Sequence, residues 1–229
     1  MLIYGRQLFL HVLERYPKRI LSVYLSKECD RKLFMKIAKL NVKIERLDEK
    51  KAQALARGGN HQGFLAEIEP VAGVSLLSLK DEKFLVMLCG VTDMGNTGAI
   101  VRSAYAFGAG GVIIANVKDL KMEQILRSSS AAAFEIPIAA APNALDAINE
   151  LKLSGFSIYA ADINGENIQH AALDKKMVLI LGSEGEGISE RILKKCDKTV
   201  GIKMNREFNS LNVSAAAAVL FDRICNGQY

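Results

Sequence analysis

The chain has 229 residues, half of them hydrophobic, and a formal net charge of +5. This length suffices for one large domain or two small ones, and the composition excludes a disordered chain. The longest apolar runs, near residues 84–89 and 177–181, are strand-sized and too short to span a bilayer, so the sequence predicts a soluble, cytoplasmic protein without a membrane partner.

Positive charge is concentrated in the N-terminal third of the chain. Residues 1–70 contain 14 Lys and Arg against 8 Asp and Glu, a balance of +6, whereas residues 71–229 contain 16 against 17. A surface that binds a polyanion would produce this asymmetry, and so would an ordinary solvated face.

Neither the cysteines nor the histidines have the spacing of a metal site or of a disulfide framework. The sequence has no C-x-x-C, and its three histidines are far apart. We therefore predict free, buried thiols and no metal. The cysteines are Cys29, Cys89, Cys196 and Cys225.

The hydrophobic pattern of the first seventy residues predicts a small α/β unit. Residues 71–83 have no clear period, and we assign them to a linker. The predicted helices are 5–16, a stripe over 33–40, and 48–57 with Asp48 as cap; the predicted strands are 20–25, 42–46 and 64–68.

From residue 84 onward, strands and helices alternate. Nearly continuous apolar strands separated by helices are typical of a parallel sheet covered on both faces, so the fold class is α/β. We interpret the serine run 128–130 as a polar loop. The predicted strands are 84–90, 111–115, 135–139, 157–160, 177–181 and 199–202, and the predicted helices are 97–107, 122–129, 143–153, 189–195 and 212–225.

Three polar loops follow strands of this predicted sheet. They cover residues 93–98, 182–187 and 209–214, the last beginning at Asn209 and opening the final helix. Ligands of parallel sheets bind at the carboxyl ends of the strands, so the three loops predict one composite site.

The same loops carry a family resemblance. "NTGAIVRSAYAFG", "LILGSEGEGIS" and "SLNVSAAAA" resemble the three ordered motifs of the SpoU (TrmH-type) RNA ribose methyltransferases, members of the knotted SPOUT superfamily. The resemblance implies a methyltransferase domain over residues 84–229 with a C-terminal trefoil knot. It also implies a homodimer that transfers a methyl group from S-adenosylmethionine to a ribose 2′-hydroxyl of RNA.

The N-terminal unit has a signal of its own. The segment "GNHQG", at residues 59–63, is similar to the bacterial 23S rRNA guanosine-2′-O-methyltransferases. This similarity implies that residues 1–70 bind RNA, with no DNA expected, and that the target is a guanosine of 23S rRNA. The alternative reading of the segment is a plain turn with His61 on the surface.

The resemblance also implies roles for individual residues. It assigns the chemistry to Asn96, Arg102, Glu184, Ser210 and Asn212, and backbone contacts with the cofactor to Gly182, Ile202 and Leu211 with Met204 nearby.

Each of these roles has a plainer alternative. Asn96 could cap the helix that starts near residue 97, and Arg102 could be a surface arginine. Ser210 and Asn212 could cap the last helix, and Glu184 could be a solvated loop acid.

The sequence departs from the family pattern at two motifs, and it leaves alternative functions open. The family's I-P-M-x-G is replaced by residues 202–206, "IKMNR", and its S-x-G-A by residues 129–132, "SSAA". The same chemistry on tRNA and a catalytically silent RNA-binding homologue are alternative functions. A Rossmann nucleotide enzyme is disfavoured, because residues 182–187 form neither G-x-G-x-x-G nor a P-loop.

Overall fold

Two β-sheets organise the chain in the computed structural model, which describes residues 1–206 and 210–227. Asn209, the first residue of the third polar loop, lies outside the described residues. The strands are β1 Leu2–Tyr4, β2 Ile20–Leu25, β3 Lys43–Arg46, β4 Phe64–Ile68, β5 Phe84–Cys89, β6 Gly111–Ala115, β7 Ile138–Ala141, β8 Ser157–Asn167, β9 Met177–Leu181 and β10 Lys198–Gly201. The helices are α1 Arg6–Arg15, α2 Arg31–Ala38, α3 Glu49–Leu55, α4 Met94–Ala106, α5 Met122–Ser128, α6 Ala144–Leu153, α7 Glu190–Leu193 and α8 Val213–Asn226.

The first sheet has four strands in the order β1-β4-β2-β3. Strand β4 is antiparallel to both β1 and β2, while β2 and β3 are parallel because α2 crosses between them. Asp30 and Asp48 accept hydrogen bonds from backbone amides at the starts of α2 and α3, as favoured N-cap residues do.

The second sheet has six strands, all parallel, in the order β10-β8-β9-β5-β6-β7. Its central strands are wholly buried, because α4, α5 and α8 cover one face and α6 and α7 cover the other. Alternate residues of β5 divide between the two layers: Val86 and Leu88 face the first, Leu85 and Met87 the second. The predicted parallel α/β architecture is confirmed.

Two predicted elements start three residues away from their predicted position, and one strand was not predicted. Helix α4 begins at Met94, three residues early, because Asp93 is its N-cap and accepts from the amide of Asn96 at 2.7 Å. Strand β7 covers 138–141 and not 135–139, because Pro137 has no N–H for a ladder and a 3₁₀ helix occupies 132–134. Strand β1 was not predicted, since three residues show no periodicity.

Two local interpretations need correction. In the serine run, Ser128 is the last residue of α5 and only 129–130 lie in the turn that follows. Ser129 is buried, and its hydroxyl is bonded to backbone groups of Leu126 and Ala133. His61 is only 2% exposed, and its Nδ1 accepts from the amide of Gly63 at 3.1 Å, so it holds the turn from inside.

The four cysteines are free, but not all are buried. Burial raises the pKa of the Cys89 thiol to about 12, whereas Cys225 is exposed. Within the described residues, no helix is both long and apolar enough to cross a membrane.

The N-terminal unit packs closely against the six-stranded sheet. The rings of Tyr16 and Phe134 stack at 4.9 Å, and His11 Nε2 lies 3.3 Å from Glu135 Oε1. Burial is the main reason that the pKa of Tyr16 is raised, and the hydrogen bond to Glu135 raises it further. Direct contacts between the two units therefore bridge the predicted linker, and Val74 within the linker pairs with Ala139 of β7.

The first motif contains a glycine that allows two helices to touch. A Cβ atom at Gly98 of α4 would overlap the backbone and side chain of Ser128 in α5. We predict that Gly98→Ala lowers the free energy of unfolding by about 1–3 kcal/mol, as overpacking does, measured by urea denaturation.

Gly95→Ala is the matched control, one turn earlier in the same helix. Its Cβ would meet only the Asp93 carboxylate, with Oδ1 at 3.0 Å, and no backbone atom, so the change in stability should be much smaller. A Gly98→Ala protein as stable as the wild type would contradict this account of the motif.

Candidate active site

The three motif loops meet at the carboxyl edge of the six-stranded sheet. Strand β5 leads into α4 with Asn96, strand β9 into the glycine-rich loop with Glu184, and Ser210 to Asn212 precede α8. Strands β5 and β9 are hydrogen-bonded neighbours, so the first two loops emerge side by side. The three loops therefore converge at one edge of the sheet.

Three side chains from the three loops form one hydrogen-bonded cluster. The Asn96 amide donates to Glu184 Oε1 at 3.0 Å, and the Asn212 amide donates both to the same carboxylate oxygen and to Asn96 Oδ1, the latter at 3.1 Å. We call Asn96, Glu184 and Asn212 the amide–carboxylate cluster. Glu184 is thus bonded within the site and is not a freely solvated acid.

Of the two asparagines that could have been simple helix caps, one is a cap and the other is not. Asn96 is not the cap of α4, because Asp93 holds that position. Asn212 does cap α8, since its Oδ1 accepts from the amides of Ser214 and Ala215 at 3.0 and 3.3 Å, and its Nδ2 serves the cluster at the same time. One asparagine therefore fixes both the start of the last helix and the joint between the loops.

A pocket of about 620 Å³ opens beside the cluster. This volume lies in the range of small-molecule sites. Its lining includes all four residues assigned to the cofactor, Gly182, Ile202, Met204 and Leu211, together with Ser210 and Glu184.

The glycine-rich loop is held in shape by its own backbone. Ser183 and Gly187 exchange backbone hydrogen bonds at 3.1 and 3.2 Å, and a Cβ at Gly182 would overlap the backbone of Gly187. A side chain at position 182 would therefore open the loop, so the glycine is a requirement of the pocket's wall.

Arg102 is not part of the cluster. It lies on the exposed surface of α4, six residues after Asn96, and forms no ion pair with any described residue. Six residues of helix turn through about 600°, which directs Arg102 to a different side of α4 from Asn96.

The sequence reading missed one pocket residue, Asp162. Strand β8 continues past the predicted end at residue 160, and residues 161–165 have no partners on β10, since Thr199 pairs with Ala160 and Val200 with Glu166. This bulge brings Asp162 and Ile163 to the pocket. The polar residues that follow the apolar run of β8 could have indicated that this segment contributes to a site.

The side chains that line the pocket favour a cationic organic ligand. Asp162, Glu184 and Glu186 supply carboxylates, while Leu181, Ile188 and Leu220 supply apolar surface. No three His, Cys, Asp or Glu side chains gather as a metal site anywhere in residues 1–206 and 210–227.

A double-mutant cycle tests whether the cluster joins the loops energetically. Asn96→Ala and Glu184→Ala should be non-additive in the free energy of unfolding by about 0.5–1 kcal/mol, the contribution of one hydrogen bond near the surface. Glu186→Ala, which removes the neighbouring carboxylate of the same loop, should be additive with Asn96→Ala. If the effects of Asn96→Ala and Glu184→Ala on the free energy of unfolding were additive, the cluster would not couple the loops energetically.

Comparison with known proteins agrees with this geometry. The SpoU rRNA Methylase family matches residues 83–222, and the family described as RNA 2′-O ribose methyltransferase substrate binding matches residues 2–73. An uncharacterized tRNA/rRNA methyltransferase of Archaeoglobus fulgidus is 33% identical over 72% of this chain and 77% of its own length.

Two further relatives cover nearly the whole chain. The 23S rRNA (guanosine-2′-O-)-methyltransferase RlmB of Vibrio cholerae is 29% identical over 97% of this chain and 96% of its own. The crystal structure of an AdoMet-bound rRNA methyltransferase from Sinorhizobium meliloti superposes with a TM-score of 0.80 at 22% identity, covering 100% of this chain and 87% of that one. With its match over residues 83–222 and its motif loops joined at one sheet edge, the chain belongs to the SpoU rRNA methylase family.

Proposed function

We propose that this enzyme transfers a methyl group from S-adenosylmethionine to a ribose 2′-hydroxyl of RNA, on a guanosine of 23S rRNA. The observation that carries the proposal is the amide–carboxylate cluster of Asn96, Glu184 and Asn212 beside the 620 Å³ pocket. Family membership and the full-length similarity to 23S rRNA guanosine-2′-O-methyltransferases support the substrate.

The pocket suits S-adenosylmethionine in charge and in shape. This cofactor supplies a methyl group on a sulfonium and also carries an ammonium, and Asp162, Glu184 and Glu186 are the carboxylates that face such charges. Gly182, Ile202 and Leu211 would hold the cofactor through backbone groups, with Met204 against it. A phosphate-bearing cofactor fits less well, because acidic side chains line the same space.

The protein's own contribution is to position and polarise the ribose hydroxyl. A 2′-hydroxyl is a weak acid, and its oxygen becomes negative as its proton passes to solvent. That oxygen bonds to the methyl carbon while the carbon–sulfur bond breaks, and S-adenosylhomocysteine leaves. Ser210 and the amides of the cluster can orient the hydroxyl. Because Arg102 lies on a different side of α4 from Asn96, we assign it to the site of the second chain in the proposed homodimer. There it binds the adjacent phosphate and stabilises the developing alkoxide, since a guanidinium stays protonated and is a poor base.

The organisation of the chain follows from the same proposal. Residues 1–70 form the RNA-binding domain, residues 71–83 the linker and residues 84–229 the methyltransferase domain. The C-terminal segment after β10 is proposed to pass through a trefoil knot. Stretching the chain from its two ends measures this, because a tightened knot shortens the extended length.

A homodimer is proposed because two packed helices leave apolar residues uncovered. Helices α4 and α8 contact each other, and Tyr105 and Val219 on them are 45% and 40% exposed. A second chain on this face would cover them and lie next to Arg102. Light scattering of the purified protein at the mass of one chain would refute the dimer.

Arg102→Ala tests the chemical assignment. We expect turnover to fall by roughly 10²-fold or more, with nearly unchanged cofactor affinity and stability, because charge stabilisation is lost only in the transition state. Arg102→Lys should not restore activity, since a point charge lacks the fork geometry of a guanidinium.

Arg191→Ala is the control for Arg102→Ala. Arg191 is also exposed and helical, and it too has no ion pair with a described residue, so its loss should leave turnover unchanged. Near wild-type turnover in Arg102→Ala would remove Arg102 from the mechanism.

Mapping of 2′-O-methyl groups tests the substrate. Total RNA from cells lacking the protein should lack one methylated guanosine of 23S rRNA, and the purified enzyme with S-adenosylmethionine should restore it. A missing methyl group in tRNA would instead favour the tRNA alternative. Intact methylation of all RNA, with no cofactor binding by calorimetry, would identify a silent RNA-binding homologue.

A further inference from the structure

A second concave surface, of about 780 Å³, lies between the N-terminal unit and the six-stranded sheet. We call it the inter-unit groove. Tyr4 and Arg57 line it from the N-terminal unit, the segment 118–127 lines it from the connection between β6 and α5, and residues 71–74 line it from the linker. None of these residues has a role in the site described above.

The groove is rich in uncompensated positive charge. Arg57, Lys118, Lys121 and Arg127 all line it and are exposed, and none forms an ion pair with a described residue. The lining also contains two carboxylates, Asp119 and Glu123, so cations outnumber anions by four to two. Both units contribute cations, which a solvated face of the N-terminal unit alone would not explain.

One of these cations is held in place by an aromatic ring from the other unit. The Arg127 guanidinium lies 4.6 Å from the centre of the Tyr4 ring and donates a hydrogen bond to the Tyr4 hydroxyl. A Cβ at Gly59 would overlap the Tyr4 hydroxyl, so the glycine at the start of "GNHQG" keeps this arrangement open. Arg127 is therefore preorganised, with further N–H donors left for a ligand.

The groove lies along the same edge of the sheet as the candidate active site. Lys118 and Lys121 follow the carboxyl end of β6, while Asn96 follows the carboxyl end of the neighbouring strand β5. Adjacent strands are about 4.8 Å apart, so the groove and the amide–carboxylate cluster are successive positions along one edge.

We propose that the inter-unit groove binds a single-stranded segment of the substrate RNA through its phosphates, next to the nucleotide presented to the active site. The proposal rests on the proposed function for the identity of the polyanion. Basic grooves that follow a backbone are the usual way in which proteins hold single strands, and an arginine plane such as that of Arg127 can also stack on a base.

Charge neutralisation in the full chain tests the proposal. The variants are Lys118→Gln/Lys121→Gln on one wall and Arg57→Gln on the other, and the probe is an unmodified 23S rRNA transcript. We expect the double variant to weaken RNA binding roughly tenfold at moderate salt. Each lost phosphate contact should also reduce the slope of log K against log salt by about 0.7, so Arg57→Gln should reduce it too.

The matched control is Lys80→Gln/Lys175→Gln, which removes two exposed lysines at the opposite edge of the same sheet, before β5 and β9. This control should leave the RNA affinity and the salt slope unchanged. In the groove variants, the KM for RNA should rise, while kcat at saturating RNA and the Kd for S-adenosylmethionine should stay at wild-type values.

The possible failures are distinguishable. Unchanged RNA affinity and slope in the groove variants of an active enzyme would overturn the groove alone. Tight binding of GMP that the same variants lose would indicate a mononucleotide site and also overturn it. If the groove variants reduce the salt slope but the wild type binds RNA without methylating it, the groove is supported and the proposed reaction is overturned. A wild type that binds no RNA would overturn both.

Discussion

A single carboxylate holds the candidate site together. Glu184 accepts from the amides of Asn96 and Asn212, and these residues stand 88 and 28 positions away from it in the chain. Because Asn212 is also the N-cap of α8, the same contact fixes where the last helix starts. The pocket beside the cluster is lined by residues of two of these loops, so its wall lies next to hydrogen bonds that no single loop could form.

Much of the architecture could be predicted from the sequence, because it follows from local patterns. Strands β2, β4, β6 and β9 were predicted to the residue, and the convergence of three polar loops followed from the rule that parallel strands end at one edge. The misplaced strand β7 depends on Pro137, whose missing N–H outweighs the apolar pattern before it.

The details of the site could not be predicted from the residues alone, since they depend on tertiary pairing. The hydrogen bond that Asn212 donates to Asn96 joins residues 116 positions apart, and no spacing rule reports such a contact. Asp162 reaches the pocket only because residues 161–165 bulge where β8 changes register against β10. The burial of His61 likewise reflects packing from α3 and the end of β2, through Glu49 and Ser26.

The strand order of the large sheet has a consequence for how the enzyme matures. Strand β5 pairs with β9, which the ribosome makes 93 residues later, and α8, which packs against α4, is made later still. Non-local pairing of this kind is slow, and domains made first fold first. The N-terminal unit can therefore fold while the six-stranded sheet is still incomplete, whereas the candidate site forms only once α8 has been made. Under the proposed function, a nascent chain holds a substrate before it is able to modify one.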